Sequence, residues 1–222
     1  METIVLDGKK AQVFPGAVPG CPLIVVNTFA EAVAPLHEAL TPAPAHTLVA
    51  VTGMAWEDDL TPWPATALKE ASPAFAGKAA AYLQWLEGAL LPQIEAKLAA
   101  PPCWRGLAGY SLAGLFAVHA LYHSTYFTRI ASMSGSLWFK GFCDYALSAP
   151  LAQRPACVYF SLGDKEKKTR HPLMRTVQDH TEAIADHYRA LGVRTTFVLE
   201  AGGHFKDAVG RTARGLTWLL TQ

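Results

Sequence analysis

Short unbroken apolar runs alternate along this chain with longer segments of helical periodicity, and that alternation restricts the fold more than any other feature. Leu23-Ile24-Val25-Val26 offers no polar side chain to solvent, so as a strand it must be covered on both faces. Thr47-Leu48-Val49-Ala50-Val51 is a second buried strand, a short apolar approach follows at 104–108, and further strands are expected at 129–133, 157–162 and 195–200. Between them lie segments suited to helices. Residues 30–40 make a short one, and residues 77–98 place Tyr82, Leu86, Leu90 and Ile94 on one face, with Pro92 expected to kink the path or restart it. Apolar or aromatic residues recur at 174, 177, 184, 188 and 191 before Gly192 closes that helix, and residues 207–221 form the last one. Residues 2–6 and 10–14 alternate as two short strands around Asp7-Gly8-Lys9. The pattern predicts one α/β domain over residues 1–222, with a mainly parallel sheet covered by helices on both faces.

At the junction between one such strand and its helix stands Gly109-Tyr110-Ser111-Leu112-Ala113-Gly114. A serine flanked by small residues between strand and helix is a nucleophile elbow: the turn is too tight for side chains at the flanking positions, and the serine oxygen projects from the sheet edge over a helix N-terminus. Of the eight serines in the chain, only Ser111 has a glycine two residues before it. The fifth position is Ala113 where glycine is more usual, and alanine is small enough to keep strand and helix close.

In an open parallel sheet, ligands and chemistry collect beyond the carboxyl ends of the strands. Ser111, Asp164, Glu166 and His204 each follow a predicted strand, in the order serine, acid, histidine that α/β-hydrolases use. A serine hydroxyl needs a base to take its proton during attack, a histidine can accept and return that proton, and a carboxylate fixes the histidine tautomer. His204 follows Gly202-Gly203, a pair suited to swinging a ring over the sheet edge. Asp164 and Glu166 are both within reach of the acid role, and Lys165, Lys167 and Lys168 beside them also suit a solvated charged turn. Backbone N–H groups of Leu112 and of the loop at Thr28-Phe29 are the candidate oxyanion donors. His119 and His123 are four apart on the elbow helix, but no glutamate intervenes and no third ligand is evident, so no metal site or cofactor is expected.

Nineteen basic and eighteen acidic residues leave a net charge of +1, which gives no electrostatic reason to expect nucleic acid or an anionic membrane as partner. No stretch approaches the roughly 20 apolar residues of a membrane span. The start of the chain lacks the basic and apolar segments of a signal peptide, and Cys21, Cys103, Cys143 and Cys157 form no CxxC pair; reduced thiols and a cytoplasmic location are expected. Oligomeric state is not legible.

Taken together, these stretches resemble the esterase branch of the α/β-hydrolases, which includes esterase D-like and siderophore (enterochelin-type) esterases. The resemblance rests on Gly-Tyr-Ser-Leu-Ala-Gly at 109–114, Ser-Gly-Ser-Leu-Trp at 134–138, Ser-Leu-Gly-Asp-Lys-Glu at 161–166, Gly-Gly-His-Phe at 202–205 and Asp-Leu-Thr-Pro-Trp at 59–63. It implies an α/β-hydrolase fold and a carboxylesterase acting on a small-molecule ester through an acyl-enzyme. It also implies Glu166 as the acid, three residues after the strand-end glycine, with Asp164 the alternative. Ser136 and Trp138 become candidate pocket residues, and Trp56 and Asp59 weaker ones. About twenty residues separate Trp138 from the next strand, too few for a large cap. An acyltransferase using the same intermediate and an inactive binding module on the same fold are the competing readings.

Overall fold

The computed structural model describes residues 1–68 and 73–222. Its frame is one eight-stranded sheet in the order β1-β2-β4-β3-β5-β6-β7-β8, where β1 is Glu2–Leu6, β2 Lys9–Phe14, β3 Leu23–Asn27, β4 Thr47–Thr52, β5 Arg105–Tyr110, β6 Arg129–Met133, β7 Cys157–Gly163 and β8 Arg194–Glu200. β1 and β2 pair antiparallel with each other and β2 pairs antiparallel with β4; every pairing from β4 to β8 is parallel. All of β3, β4 and β7 is buried, as continuous apolar runs require.

Because side chains alternate across a strand, each central strand feeds two cores. Val25, Val49, Leu107, Ile130 and Val158 face a core shared with α3 (Ala79–Trp85), α5 (Leu112–Ala120) and α7 (Val177–Ala190). Ile24, Leu48, Ala50, Ala108 and Tyr159 face the other, capped by α1 (Ala30–Ala39) and α8 (Ala208–Leu220). Every residue of α5 is buried, so this helix is apolar all round rather than amphipathic.

β3 leads to β4 on one side, and the chain then crosses back to place β5 on the other side of β3. The carboxyl ends of β3 and β5 therefore flank a topological switch point, where a crevice opens beyond the sheet. Three local features refine the sequence expectation. The helical stretch around Pro92 runs as α3, a π segment at Leu86–Leu90, and α4 (Leu91–Glu95). The Leu91 N–H reaches five residues back to the Leu86 carbonyl, one step before the proline that has no N–H to give. The loop after β4 contains one turn of helix, α2 (Trp56–Asp59), capped by the Asp59 carboxylate on the Ala55 N–H at 2.9 Å. Residues between Trp138 and β7 include α6 (Phe142–Ser148), and no cap domain is inserted among the described residues.

Candidate active site

The elbow turns with Ser111 at φ 58° and ψ −123°, a conformation that side-chain-bearing residues rarely occupy. Gly109 permits it: a Cβ there would sit 2.4 Å from both the backbone and the side chain of Ala113. The alanine in place of glycine at 113 is thus accommodated by the glycine at 109. The Ser111 N–H bonds the Met133 carbonyl at 3.1 Å, tying the turn to β6, and α5 begins at the next residue. Its N-terminus points developing positive potential at the serine.

The three sequence-selected side chains meet at this edge. Ser111 Oγ lies 3.1 Å from His204 Nε2, and His204 Nδ1 lies 2.7 Å from Glu166 Oε2. Asp164 is not part of this chain of contacts. It is exposed, and its Oδ1 accepts the Gly202 N–H at 2.7 Å, which closes the turn that carries His204. Gly163 lets that turn approach, since a Cβ there would fall 2.2 Å from the Gly202 carbonyl oxygen.

Glu166 divides its two oxygens. Oε2 takes His204, while Oε1 accepts the Gly163 N–H at 2.6 Å, the Ser134 hydroxyl at 2.7 Å and an Arg211 N–H at 3.2 Å. Burial alone would raise its pKa, since the side chain is only 5 % exposed; the hydrogen bonds from His204, Gly163 and Ser134 outweigh burial and hold it below the usual carboxylate range.

Three residues of this network were not singled out by sequence reasoning. Ser134 sits at φ 46°, which turns its hydroxyl onto Glu166. Arg211, 1 % exposed on α8, donates to Glu166, to Ser134 Oγ at 3.1 Å, to Tyr110 Oη at 3.2 Å and to the Ala201 carbonyl at 3.3 Å. Tyr110 in turn donates its hydroxyl to the His204 carbonyl. The helical spacing of Ala213, Leu216 and Leu219 does not place residue 211 at the centre of their face, so the sequence carried no signal for a buried arginine there.

Two lobes flank Ser111 and His204 and share Trp56, Glu57 and Phe205 as their dividing wall. One, of about 280 Å³, is lined by Ser136, Trp138, Phe75 and Met174; the other, of about 410 Å³, by Phe29, Ala32, Leu36 and Val209. Ser136 Oγ is 3.3 Å from Ser111 Oγ, so Ser136 and Trp138 both border the serine. Trp56 stacks on Phe29 with ring centroids 4.1 Å apart. Trp63 instead packs among Phe139, Phe142 and Tyr145, and Asp59 caps α2 and lies 3.7 Å from Lys9. The Phe29 and Leu112 N–H groups have no acceptor among the described residues. Phe29 is placed by the end of β3, where Thr28 N–H bonds Val51 and the buried Tyr82 hydroxyl bonds Asn27 Oδ1 at 2.6 Å.

The His119 and His123 rings lie tilted against each other with centroids 4.3 Å apart; burial drives the His119 pKa down to about 3, so it is a neutral packed ring. Among the described residues no group of three or more histidine, cysteine, aspartate or glutamate side chains could hold a metal ion, and no helix is long and apolar enough to cross a membrane.

A family model described as "Putative esterase" matches residues 43–204. An uncharacterized Bacillus subtilis protein, YbbA, is 33% identical over 170 residues, covering 73% of this chain and 68% of that one. Among solved structures, siderophore hydrolase EstB from Aspergillus nidulans superposes with a TM-score of 0.80 at 18% identity, over 99% of this chain and 94% of that one. An IroE-like serine hydrolase from Shewanella oneidensis gives 0.77 at 17% identity, over 96% and 76%. At such identities the superpositions speak for the fold. The family match, over most of the chain, does more: this protein belongs to the esterase family of the α/β-hydrolase superfamily and is a carboxylic ester hydrolase.

Proposed function

We propose that Ser111, His204 and Glu166 form a catalytic triad that hydrolyses carboxylic esters through an acyl-enzyme. The observation that carries this reading is the unbroken contact from Ser111 Oγ through the imidazole to Glu166, at 3.1 and 2.7 Å. Glu166, held ionised, accepts a hydrogen bond from the Nδ1–H of His204 and so leaves Nε2 free to receive the serine proton.

In the first half-reaction Ser111 Oγ adds to the ester carbonyl carbon as its proton passes to Nε2. The C–O bond to the alcohol then breaks, and His204 returns the proton to the departing oxygen. Water repeats the sequence on the acyl-serine, giving its proton to His204 and releasing the acid with Ser111 restored. The Phe29 and Leu112 N–H groups hold the oxyanion in both steps, aided by the α5 N-terminus; losing one such donor typically costs about 2.7–4 kcal/mol of transition-state stabilisation.

The two lobes accommodate the acyl and alcohol portions on either side of Ser111. Their described lining contains no lysine or arginine and one carboxylate, Glu57. We therefore assign small uncharged esters as the substrate class, rather than the siderophores that hydrolases such as EstB are named for. Four free thiols support a reducing, cytoplasmic setting, and the single sheet running from β1 to β8 supports residues 1–222 acting as one domain.

Short p-nitrophenyl esters test the reading. Wild-type protein should release nitrophenol with saturation kinetics, and Ser111→Ala and His204→Ala should each lose at least about 10³-fold in kcat. Turnover in Ser111→Ala equal to wild type would end the proposal.

A further inference from the structure

We infer that Arg211 is a positioning residue for the hydrolytic reaction: its buried guanidinium joins Glu166, Ser134 and Tyr110 into one unit that fixes both the acid and the backbone of the histidine. The inference rests on the triad reading above. It concerns a residue one element away from the reacting atoms, on α8, that touches neither serine nor imidazole in the contacts it makes.

The geometry is specific. Arg211 Nη1 serves Glu166 Oε1, Ser134 Oγ and Tyr110 Oη, each between 3.1 and 3.2 Å, and Nη2 reaches the Ala201 carbonyl at 3.3 Å. Those partners come from four neighbouring strand ends: Tyr110 closes β5, Ser134 follows β6, Glu166 follows β7 and Ala201 follows β8. Tyr110 then donates to the carbonyl of His204 itself. One side chain thus sets the acid directly and the base through a single intervening hydroxyl. A guanidinium suits this task because its planar fork carries donors in fixed directions, whereas an ammonium is a point charge.

The charge matters as well as the shape. Arg211 and Glu166 side chains are 1 % and 5 % exposed, so a buried cation balances a buried anion. When His204 takes the serine proton, it does so beside a carboxylate already neutralised on its far oxygen. Without the cation, the Glu166–His204 pair holds a proton more tightly, on either partner, and the neutral base forms only at higher pH. The other ionisable groups around the pair are accounted for. Asp164 is committed to the Gly202 N–H and Asp207 to Arg214; Lys206 lays its alkyl chain over Gly202; Lys165 is exposed on the acid turn; Glu57 lines the cleft; and Tyr110 belongs to the network. Arg211 is the cation that bonds Glu166.

The test compares Arg211→Met, Arg211→Lys and wild type by the pH profile of kcat/KM on a neutral p-nitrophenyl ester, with folding checked by circular dichroism. In Arg211→Met the acid limb should move upward by about one pH unit, with kcat also lowered. In Arg211→Lys the limb should stay near its wild-type position, because the charge remains, while kcat falls about tenfold because one ammonium cannot hold four acceptors. KM should change little in either. A folded Arg211→Met protein with an unmoved limb would reduce Arg211 to a packing residue and overturn the inference. If Arg211→Met does not fold, Arg211→Lys decides alone, and wild-type kcat in that variant overturns it. Hydrolysis by the wild type is the separate control: its absence removes the triad reading itself.

Discussion

Replacing Glu166 by glutamine is the substitution whose outcome the geometry fixes most tightly. Glutamine keeps the shape of the side chain, but its amide has one acceptor and one donor end. Oε1 of Glu166 accepts from Gly163, Ser134 and Arg211, so the amide oxygen must occupy that position. The NH₂ then takes the place of Oε2, 2.7 Å from His204 Nδ1, and donates to it. That forces the proton onto Nε2, the nitrogen that faces Ser111, and removes the base. The wrong tautomer in a serine triad costs about 10⁴-fold in kcat, or about 5.5 kcal/mol of barrier. The same change leaves the buried Arg211 without its counter-ion, at a cost of about 3–5 kcal/mol in stability. Asp164→Asn is the matched control. Its one contact is with the Gly202 N–H, which an amide oxygen also accepts, and it is exposed. It should keep kcat within about threefold and stability within about 0.5 kcal/mol. Steady-state kinetics and urea denaturation of both variants read these quantities. A Glu166→Gln enzyme with a tenth or more of wild-type kcat, or a larger loss in Asp164→Asn, would refute the reasoning.

Other expected outcomes follow from the same contacts. Gly109→Ala brings a Cβ to 2.4 Å from Ala113 and should cost about 1–3 kcal/mol or more by overpacking, read as a lower Tm; a Tm equal to wild type would contradict the elbow geometry. Because the folded-state pKa of Glu166 lies below its ordinary 4.5, its contribution to stability is full above that value and lost as pH falls through the folded one. Urea midpoints should therefore drop between pH 5 and the acid range (about pH 3) more steeply in wild type than in Glu166→Gln, and parallel curves would contradict the assignment. With Glu57 in the dividing wall and no basic lining residue described, p-nitrophenyl butyrate should exceed mono-p-nitrophenyl succinate by about tenfold in kcat/KM; a preference for the anion would overturn the substrate class.

Much of the frame was legible because it follows from local rules. The run at 23–26 has no polar side to expose, so its burial on both faces could be read directly, and β3 is buried throughout. Ser111, Glu166 and His204 lie after strands whose parallel alignment brings their ends together, so order along the chain translated into proximity. The choice between Asp164 and Glu166 was different. Two residues apart on one turn, they are separated only by where the turn points each carboxylate, and that depends on Gly202 and Ser134 from distant parts of the chain. Arg211 and Ser134 were missed for the same reason: a buried guanidinium and a serine at positive φ acquire meaning only from their partners. The restart at Pro92 was legible, since α4 begins at Leu91 with the proline in its first turn, but the π segment before it was not, because it depends on the Leu91 N–H reaching back to Leu86. Only the family resemblance separated Trp138 from Trp63, and Trp138 does border the serine while Trp63 fills an aromatic cluster.

The most direct test of the account is covalent. Wild-type protein treated with a fluorophosphonate should gain one adduct in its intact mass, peptide mapping should place that adduct on Ser111, and Ser111→Ala should remain unmodified while still folded. No adduct on the wild type, or an adduct on Ser136 or Ser134 in its place, would contradict Ser111 as the nucleophile.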